Sequence, residues 1–315
     1  MRQLSDVGEF GLIERIIRRI GDPRSSRVLL GPGDDAAVLR PPAGRDLVVS
    51  TDALVEDVHF RWCSQAPATV GRRALLVNLS DLAAMGATPL GFVVALAAPP
   101  TLALARAEGL IAGLLREARA RACPLVGGNV AAARETSLAV TVFGSVAPGR
   151  ALRRDAGRPG DRIFVTGSLG GAGLARIRAE RTGARLRKLP IPRLAAGRAL
   201  ARIESVNGCI DISDGLVADL GHLLAKAGRG AEIDPGRIPC PQGFATACRR
   251  LGVDSQALLL GGGEDYELLF SLRARARLSE AALARRLAVP VAEIGRVTAR
   301  PGISGLPAGG GWRHF

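Results

Sequence analysis

The sequence predicts an α/β fold (helices and mixed strands, α+β in detail) in two lobes, and three observations carry that expectation. A chain of 315 residues with 47% apolar side chains is longer than one hydrophobic core comfortably encloses. Apolar runs of strand length alternate along it with stretches of helical periodicity, as in layered helix-and-sheet proteins. A basic stretch bounded by Pro148-Gly149 and Pro159-Gly160 interrupts that pattern near the midpoint, where a boundary between lobes is expected. Aromatic residues make up only 3% of the chain, so Val, Leu, Ile and Ala must fill both cores.

Leu12, Ile13, Ile16, Ile17 and Ile20 recur at helical spacing until Gly21-Asp22-Pro23 stops them, so an amphipathic helix opens the chain. An extended segment over 46–50 runs into Thr51-Asp52. Residues 68–86 read as a helix with Leu75, Leu76, Leu79, Leu82 and Ala83 inward and Asn78 and Asp81 on another face. A buried strand over 92–97, a helix over 103–122 and a strand over 137–146 complete a first lobe at 1–149. The second, 150–315, has expected strands at 162–166, 209–212, 266–272 and 293–297, and helices near 171–181, 193–203, 215–227 and 279–288. Residues 181–192 read as a surface connection, and no internal repeat is visible.

The formal charge of +14 comes almost wholly from arginine, since the lysines are Lys188 and Lys226. Arg15, Arg72, Arg119, Arg178, Arg249 and Arg285 are scattered through helical patterns instead of forming a stripe with interleaved aromatics. A nucleic-acid partner is therefore not expected, and attraction of anionic substrates is the secondary effect. Five cysteines, Cys63, Cys123, Cys209, Cys240 and Cys248, form no CxxC pair and are odd in number, which argues against a disulfide framework or structural zinc and fits a reducing cytosol. The opening MRQLSDVGEF has no leader pattern, and no apolar run reaches the ~18 residues of a membrane span. A cytoplasmic protein without a membrane partner is expected.

Acidic residues cluster at the ends of expected strands, several beside glycine: Gly33-Asp34-Asp35, Ser50-Thr51-Asp52, Asp211-Ile212-Ser213-Asp214-Gly215 and Gly262-Gly263-Glu264-Asp265. Loops after strands are where α/β folds place ligands. Crowded carboxylates repel one another unless a cation lies between them, and Mg²⁺ takes oxygen ligands. Singly, Gly-Asp-Asp is a turn, and Asp211-x-x-Asp214 before a helix is an N-cap. Together, with Asp81 added on its helix, they point to bound Mg²⁺. His59, one of three histidines, reads by itself as a turn or half-buried polar residue. TGSLGGAG at 166–173 has neither P-loop nor GxGxxG spacing, so its glycines read as close strand-to-helix packing.

The motifs GEFGLIERI (8–16), GPGDDAAVL (31–39), STDALVEDVHF (50–60), NLSDLAAMGATPLG (78–91), GRALRRDAGRPGDRIFVTG (149–167), DISDGLVADLGHLL (211–224), GGEDYELLF (262–270) and the closing WRHF together resemble the thiamine-monophosphate kinase family. Its wider superfamily holds aminoimidazole ribonucleotide synthetase, selenophosphate synthetase and the hydrogenase maturation protein HypE. NLSDLAAMGA and GGEDYEL are specific to the family, whereas GDD and DxSDG mark only the superfamily. The resemblance covers nearly the whole chain.

It implies a homodimer whose N-terminal lobes pair through a mixed sheet and take ATP and Mg²⁺ near the subunit junction, the C-terminal lobe completing the nucleotide and substrate site. The implied reaction is ATP-dependent phosphorylation of thiamine monophosphate to thiamine diphosphate by direct in-line transfer, the last step in making that product. Carried across by motif, Asp35, Ser50, Thr51, Asp52, Asp81, Asp211 and Asp214 are expected Mg²⁺ ligands, direct or through water. Arg154 and Ser213 are expected on ATP, and His59 and Glu264 on the thiamine substrate. No general base is expected, because the attacking phosphate is ionised at neutral pH and the reaction needs chiefly positioning and electrostatics.

Two departures stand out. Where the family carries GGDTTRG this chain reads Gly127-Gly128-Asn129-Val130-Ala131-Ala132-Ala133, so Gly128 and Asn129 take the nucleotide and metal position with an amide in place of a carboxylate. Gly309–Gly311 occupies the place of an aromatic, leaving Trp312 as the substitute substrate contact. The alternatives are another acceptor within the superfamily, or a nucleotide-binding paralogue with weakened or lost catalysis. HypE itself is disfavoured, since the chain ends in Trp-Arg-His-Phe where a reactive cysteine is expected.

Overall fold

A computed structural model describes residues 2–306 apart from Asp22, Arg24 and Asp34, so Asp34 of the Gly-Asp-Asp cluster and the substrate contact expected of Trp312 lie outside the described residues. The chain forms two compact units, one of residues 1–82, 88–148 and 183–189, the other of 83–87, 149–182 and 190–315.

The first unit contains α1 (Gly8–Ile20), β1 (Val28–Leu30), β2 (Val38–Leu39), β3 (Asp46–Val55), α2 (Pro67–Ala84), β4 (Thr88–Ala98), α3 (Leu104–Ala120), β5 (Leu125–Ala132) and β6 (Ser137–Val146). Four strands form a mixed sheet in the order β3-β6-β4-β5, antiparallel except for the parallel β4–β5 pair. Pro67 starts α2, where a missing N–H is harmless, and Gly86, with φ of 69°, turns the chain beyond its end. Helix α2 is buried on nearly all sides from Val70 to Ser80. A methyl group at Gly71 would overlap the Leu110 carbonyl, and one at Gly113 the Ala68 carbonyl. Those two glycines let α2 and α3 meet backbone to backbone.

Sheet alternation gives β3 two faces. Ser50 faces α2, to which it is hydrogen-bonded. The opposite face carries Leu47 and Val49, which are 53% and 54% exposed. Thr51-Asp52 is inside this strand, not at its end as the sequence suggests. Ten consecutive residue pairs with β6, running from Asp46 to Val55, hold Asp52 in an extended geometry that its own propensity disfavours, while the neighbouring threonine favours it.

The second unit contains β7 (Arg162–Thr166), α4 (Gly171–Thr182), α5 (Leu194–Leu200), β8 (Val206–Asp211), α6 (Leu216–Ala225), β9 (Gly230–Ile233), α7 (Phe244–Arg250), α8 (Ser255–Gly261), β10 (Leu268–Leu272), α9 (Glu280–Leu287), β11 (Val291–Thr298) and β12 (Gly302–Ser304). Its sheet runs β12-β9-β11-β7-β10-β8, antiparallel except for β12–β9. Ile163, Val165, Ile210 and Leu269 from the strands meet Leu216, Leu220 and Leu223 of α6 in a fully buried aliphatic core. Phe164 and Phe270 stack across the paired strands β7 and β10 at 5.4 Å. No described helix is long and apolar enough to cross a membrane.

Candidate functional site

In the first unit, β3 and α2 bring together residues far apart in sequence. The Ser50 hydroxyl donates to Asp81 Oδ2 at 2.6 Å. Thr51 lies on the opposite face, where its hydroxyl donates to the Val140 carbonyl (3.1 Å) and accepts from Thr141 (3.0 Å). Asp52 is exposed and accepts the Ala53 N–H at 2.8 Å. Asn78, fully buried one turn before Asp81, donates to the Ala74 carbonyl at 2.9 Å. Its Nδ2 also lies 3.5 Å from the Asp52 carbonyl. The Asn78 Oδ1 has no hydrogen-bond partner among the described residues, an acceptor that a bound water or hydrated ion would satisfy.

Beyond β3 the chain reverses through Glu56–Phe60, with Asp57 at φ of 63°. His59 Nδ1 accepts the Val55 N–H at 3.1 Å, and the His59 carbonyl accepts from buried Arg73 at 2.5 Å. Asp35 is exposed between β1 and β2. Gly128 and Asn129 are exposed on β5, beside Val94 and Ala95 of β4. A Cβ at position 128 would strike the Val94 carbonyl, so the glycine there is a packing requirement of the strand pair.

In the second unit, β8 ends at Asp211, 4% exposed, and the turn Ile212–Gly215 leads into α6. The residue at the cap position of that helix is neither Asp211 nor Asp214. The N-cap is Gly215, at φ of 109°, and the first turn is held from within by Asp219, whose Oδ2 accepts the Asp214 and Gly215 N–H groups at 3.0 and 3.2 Å. Asp219 was not among the residues singled out by sequence. Its signal was an acid in the first turn of the helix, which normally means only a favourable dipole. Burial, together with the charges of Asp214 and Asp211 and against the two amide hydrogen bonds, pushes the Asp219 carboxyl up to about 7. Three carboxylates thus influence one another at this turn.

Arg154 is exposed on the segment before β7. Its neighbour Arg153 pairs through its backbone with β8 and through its guanidinium with Asp155 at 2.6 Å, a hydrogen bond that holds Asp155 down to about 2. Burial first, then Asp211, raises the Cys209 thiol on β8, while Arg154 opposes the rise.

The GGEDYEL segment runs beside that turn. Glu264 N–H donates to the Ser213 carbonyl at 2.7 Å, and Tyr266 N–H to the Ile212 carbonyl at 2.8 Å. Asp265 accepts the Gly170 and Ala172 N–H groups at 2.5 and 3.0 Å. The N-terminus of α4 is thus already occupied by a carboxylate, and a methyl at Gly170 would meet the Phe244 ring. Both facts favour the packing interpretation of the glycine-rich TGSLGGAG over a phosphate cradle.

The structure thus joins Ser50 with Asp81 and sets Asn78 beside Asp52 in the first unit, and groups Asp211, Ser213, Asp214 and Glu264 in the second. Among the described residues, no three His, Cys, Asp or Glu side chains form a metal cage of their own. Mg²⁺ rarely needs one, since it takes one or two carboxylates and completes its shell with water and substrate phosphates. The all-oxygen donors Ser50, Asp52 and Asp81, beside the partnerless Asn78 Oδ1, fit a hard hydrated cation.

Residues 33–146 match the sequence profile of "AIR synthase related protein, N-terminal domain", and 158–306 that of the corresponding C-terminal domain. The thiamine-monophosphate kinase of Escherichia coli O157:H7 is 39% identical over 93% of this chain and 91% of its own length. That of Synechococcus elongatus is 37% identical over 86% and 84%. The crystal structure of thiamine-monophosphate kinase from Stenotrophomonas maltophilia K279a aligns at a TM-score of 0.79 with 36% identity, over 96% of this chain and 98% of that one. AaThiL complexed with AMPPCP and TMP aligns at 0.75 with 30% identity, over 100% and 99%.

Proposed function

The chain belongs to the thiamine-monophosphate kinase family, and on that premise we propose that it transfers the terminal phosphoryl group of ATP to thiamine monophosphate, giving ADP and thiamine diphosphate. The observation that carries the reading is the pairing of Ser50 with Asp81 beside Asp52 and Asn78, an oxygen-only donor set suited to a cation that accompanies polyphosphate. A phosphate oxygen of thiamine monophosphate attacks the terminal phosphorus in line, and the bond from that phosphorus to the ADP oxygen breaks. The attacking oxygen needs no base, since a phosphate monoester has its second pKa near 6.

Asp35, Ser50, Asp52, Asp81, Asp211 and Asp214 would hold Mg²⁺, directly or through water, and Thr51 through its backbone, since its hydroxyl is bonded on the opposite face; the amide oxygen of Asn129 would be a neutral donor. When bound, Mg²⁺ neutralises phosphate charge and acts as a Lewis acid toward the transferring group. Arg154 adds positive charge toward ATP, and Ser213, Gly128 and Asn129 position the nucleotide. His59, its ring oriented by the Val55 N–H, and Glu264 orient the thiamine substrate. All five cysteines are free, which supports a cytoplasmic setting.

The purified protein should form ADP and thiamine diphosphate in equal amounts when ATP, thiamine monophosphate and Mg²⁺ are supplied. Tight ATP binding with no thiamine diphosphate at any Mg²⁺ concentration would instead identify a nucleotide-binding paralogue. In the same assay Asn129→Asp should lower the half-saturating Mg²⁺ concentration by roughly threefold to tenfold, because a carboxylate adds the charge an amide lacks.

The outer face of β3 supports a homodimer. Leu47 and Val49 are exposed on a sheet face, the kind of apolar patch a soluble protein covers. Val49→Asp, at a position already exposed but inside a strand, should lower the stability of the chain by no more than about 1 kcal/mol. It should convert a sedimenting dimer into a monomer; a variant that stays dimeric removes this face from the interface.

A further inference from the structure

We propose that Arg193 and Glu267 are positioning residues whose ion pair fixes the backbone register between the segment carrying Ser213 and the segment carrying Glu264. This rests on the reading above, in which Ser213 meets the nucleotide and Glu264 the thiamine substrate.

The pairing of β8 with β10 does not end at Leu268. Upstream, Ile212 N–H donates to the Glu267 carbonyl at 2.8 Å, Tyr266 N–H to the Ile212 carbonyl at 2.8 Å, and Glu264 N–H to the Ser213 carbonyl at 2.7 Å. The two ligand-bearing segments are thus joined by a direct backbone hydrogen bond at their functional residues. Along this extension Glu264 and Tyr266 have φ of 60° and 52°, in the left-handed region that side chains disfavour. Such a backbone persists only where its surroundings over-determine it.

Glu267 supplies that constraint. It is 5% exposed, and its carboxylate accepts from Arg193 Nε at 2.6 Å, from Arg193 Nη2, and from the Thr166 hydroxyl at 2.7 Å. Thr166 Oγ1 in turn accepts the Leu268 N–H at 2.8 Å. A methyl group at Gly167 would overlap the same carboxylate. One buried side chain is therefore held directly from β7 and from the residue before α5, and Leu268 of its own strand in turn pins the Thr166 hydroxyl that it receives. A buried ion pair seldom stabilises a fold more than apolar residues of similar volume would, and its best-attested use is to specify register. Here the register decides where Ser213 and Glu264 stand relative to each other. A small slip between them would misalign the reacting phosphates while leaving each ligand its own contacts.

Four proteins test this: wild type, Arg193→Met, the double variant Arg193→Met/Glu267→Met, and Leu283→Ala, a fully buried position in α9 that touches neither segment's hydrogen bonds. The measurements are Tm, affinity for a non-hydrolysable ATP analogue, kcat for thiamine diphosphate formation, and amide exchange at Glu264 and Tyr266. Arg193→Met should lower Tm by leaving a buried carboxylate uncompensated, and the double variant should recover it. Both should lose kcat by about tenfold or more, keep analogue affinity within about twofold, and exchange the two amides faster. Leu283→Ala should lose Tm but keep kcat and amide protection. A double variant with wild-type kcat, or a Leu283→Ala protein with the same loss of kcat as Arg193→Met, overturns the proposal. A wild type that forms no thiamine diphosphate overturns the kinase reading and this one with it.

Discussion

Asp52→Ala and Asp81→Ala should each lower kcat for thiamine diphosphate formation by a factor on the order of 10³, because on the proposed metal role each removes a negative donor from the charge arrangement that phosphoryl transfer depends on. Asp52 is exposed, and its side-chain hydrogen bond is to the adjacent Ala53 N–H. Its removal should therefore leave Tm within a few degrees of wild type. Asp81 accepts the Ser50 hydroxyl, so an alanine there also leaves Ser50 without that acceptor. Asp81→Asn separates the two effects, since the amide oxygen can still receive the hydroxyl while the charge is gone. If charge is what matters, Asp81→Asn should be nearly as slow as Asp81→Ala, with a raised requirement for Mg²⁺. Turnover close to wild type in both alanine variants would remove the metal role from β3 and α2 together.

The second large effect is expected at Asp219. Asp219→Ala deprives the buried Asp214 and Gly215 N–H groups of their acceptor and should cost about 2–3 kcal/mol of stability, with turnover falling as the Asp211–Asp214 turn loosens. Asp219→Asn keeps an oxygen for both donors and should be far milder. Its effect has a definite dependence on pH. The carboxyl is raised from its ordinary value near 4 to about 7 in the folded protein, so the native state holds the proton more tightly than the unfolded chain. The resulting stabilisation is complete below pH ~4 and disappears as pH rises through 7. In chelator-treated protein, the Tm of Asp219→Asn relative to wild type should therefore climb between pH 5 and 8 and level off above. A flat difference would mean that Asp219 is charged throughout.

Elements with a strong period were legible in the sequence. The spacing of Leu75, Leu76, Leu79 and Leu82 in α2 and the apolar run of β4 follow directly from burying one face or two. β5 escaped notice because Gly127-Gly128-Asn129-Val130-Ala131-Ala132 has almost no intrinsic strand preference, and it is extended because β4 pairs with it in parallel. β9 and β12, with four and three residues, and α7 and α8, with seven each, are too short for any period to declare itself. Candidate site residues were legible as residue types and motifs, but their partners were not. Nothing local indicates that Ser50 meets Asp81 thirty-one positions away, or that Asp219, and not Asp214, holds the start of α6.

Ser50, Thr51 and Asp52 stand in the interior of a ten-pair ladder, so their backbone torsions are settled when the sheet forms. On the proposed metal role, a cation arriving with its polyphosphate would find Ser50 and Asp52 already arrayed on one face of the strand, and its association would have little local disorder left to quench. A flexible loop bearing the same three residues would have to be frozen anew at each encounter.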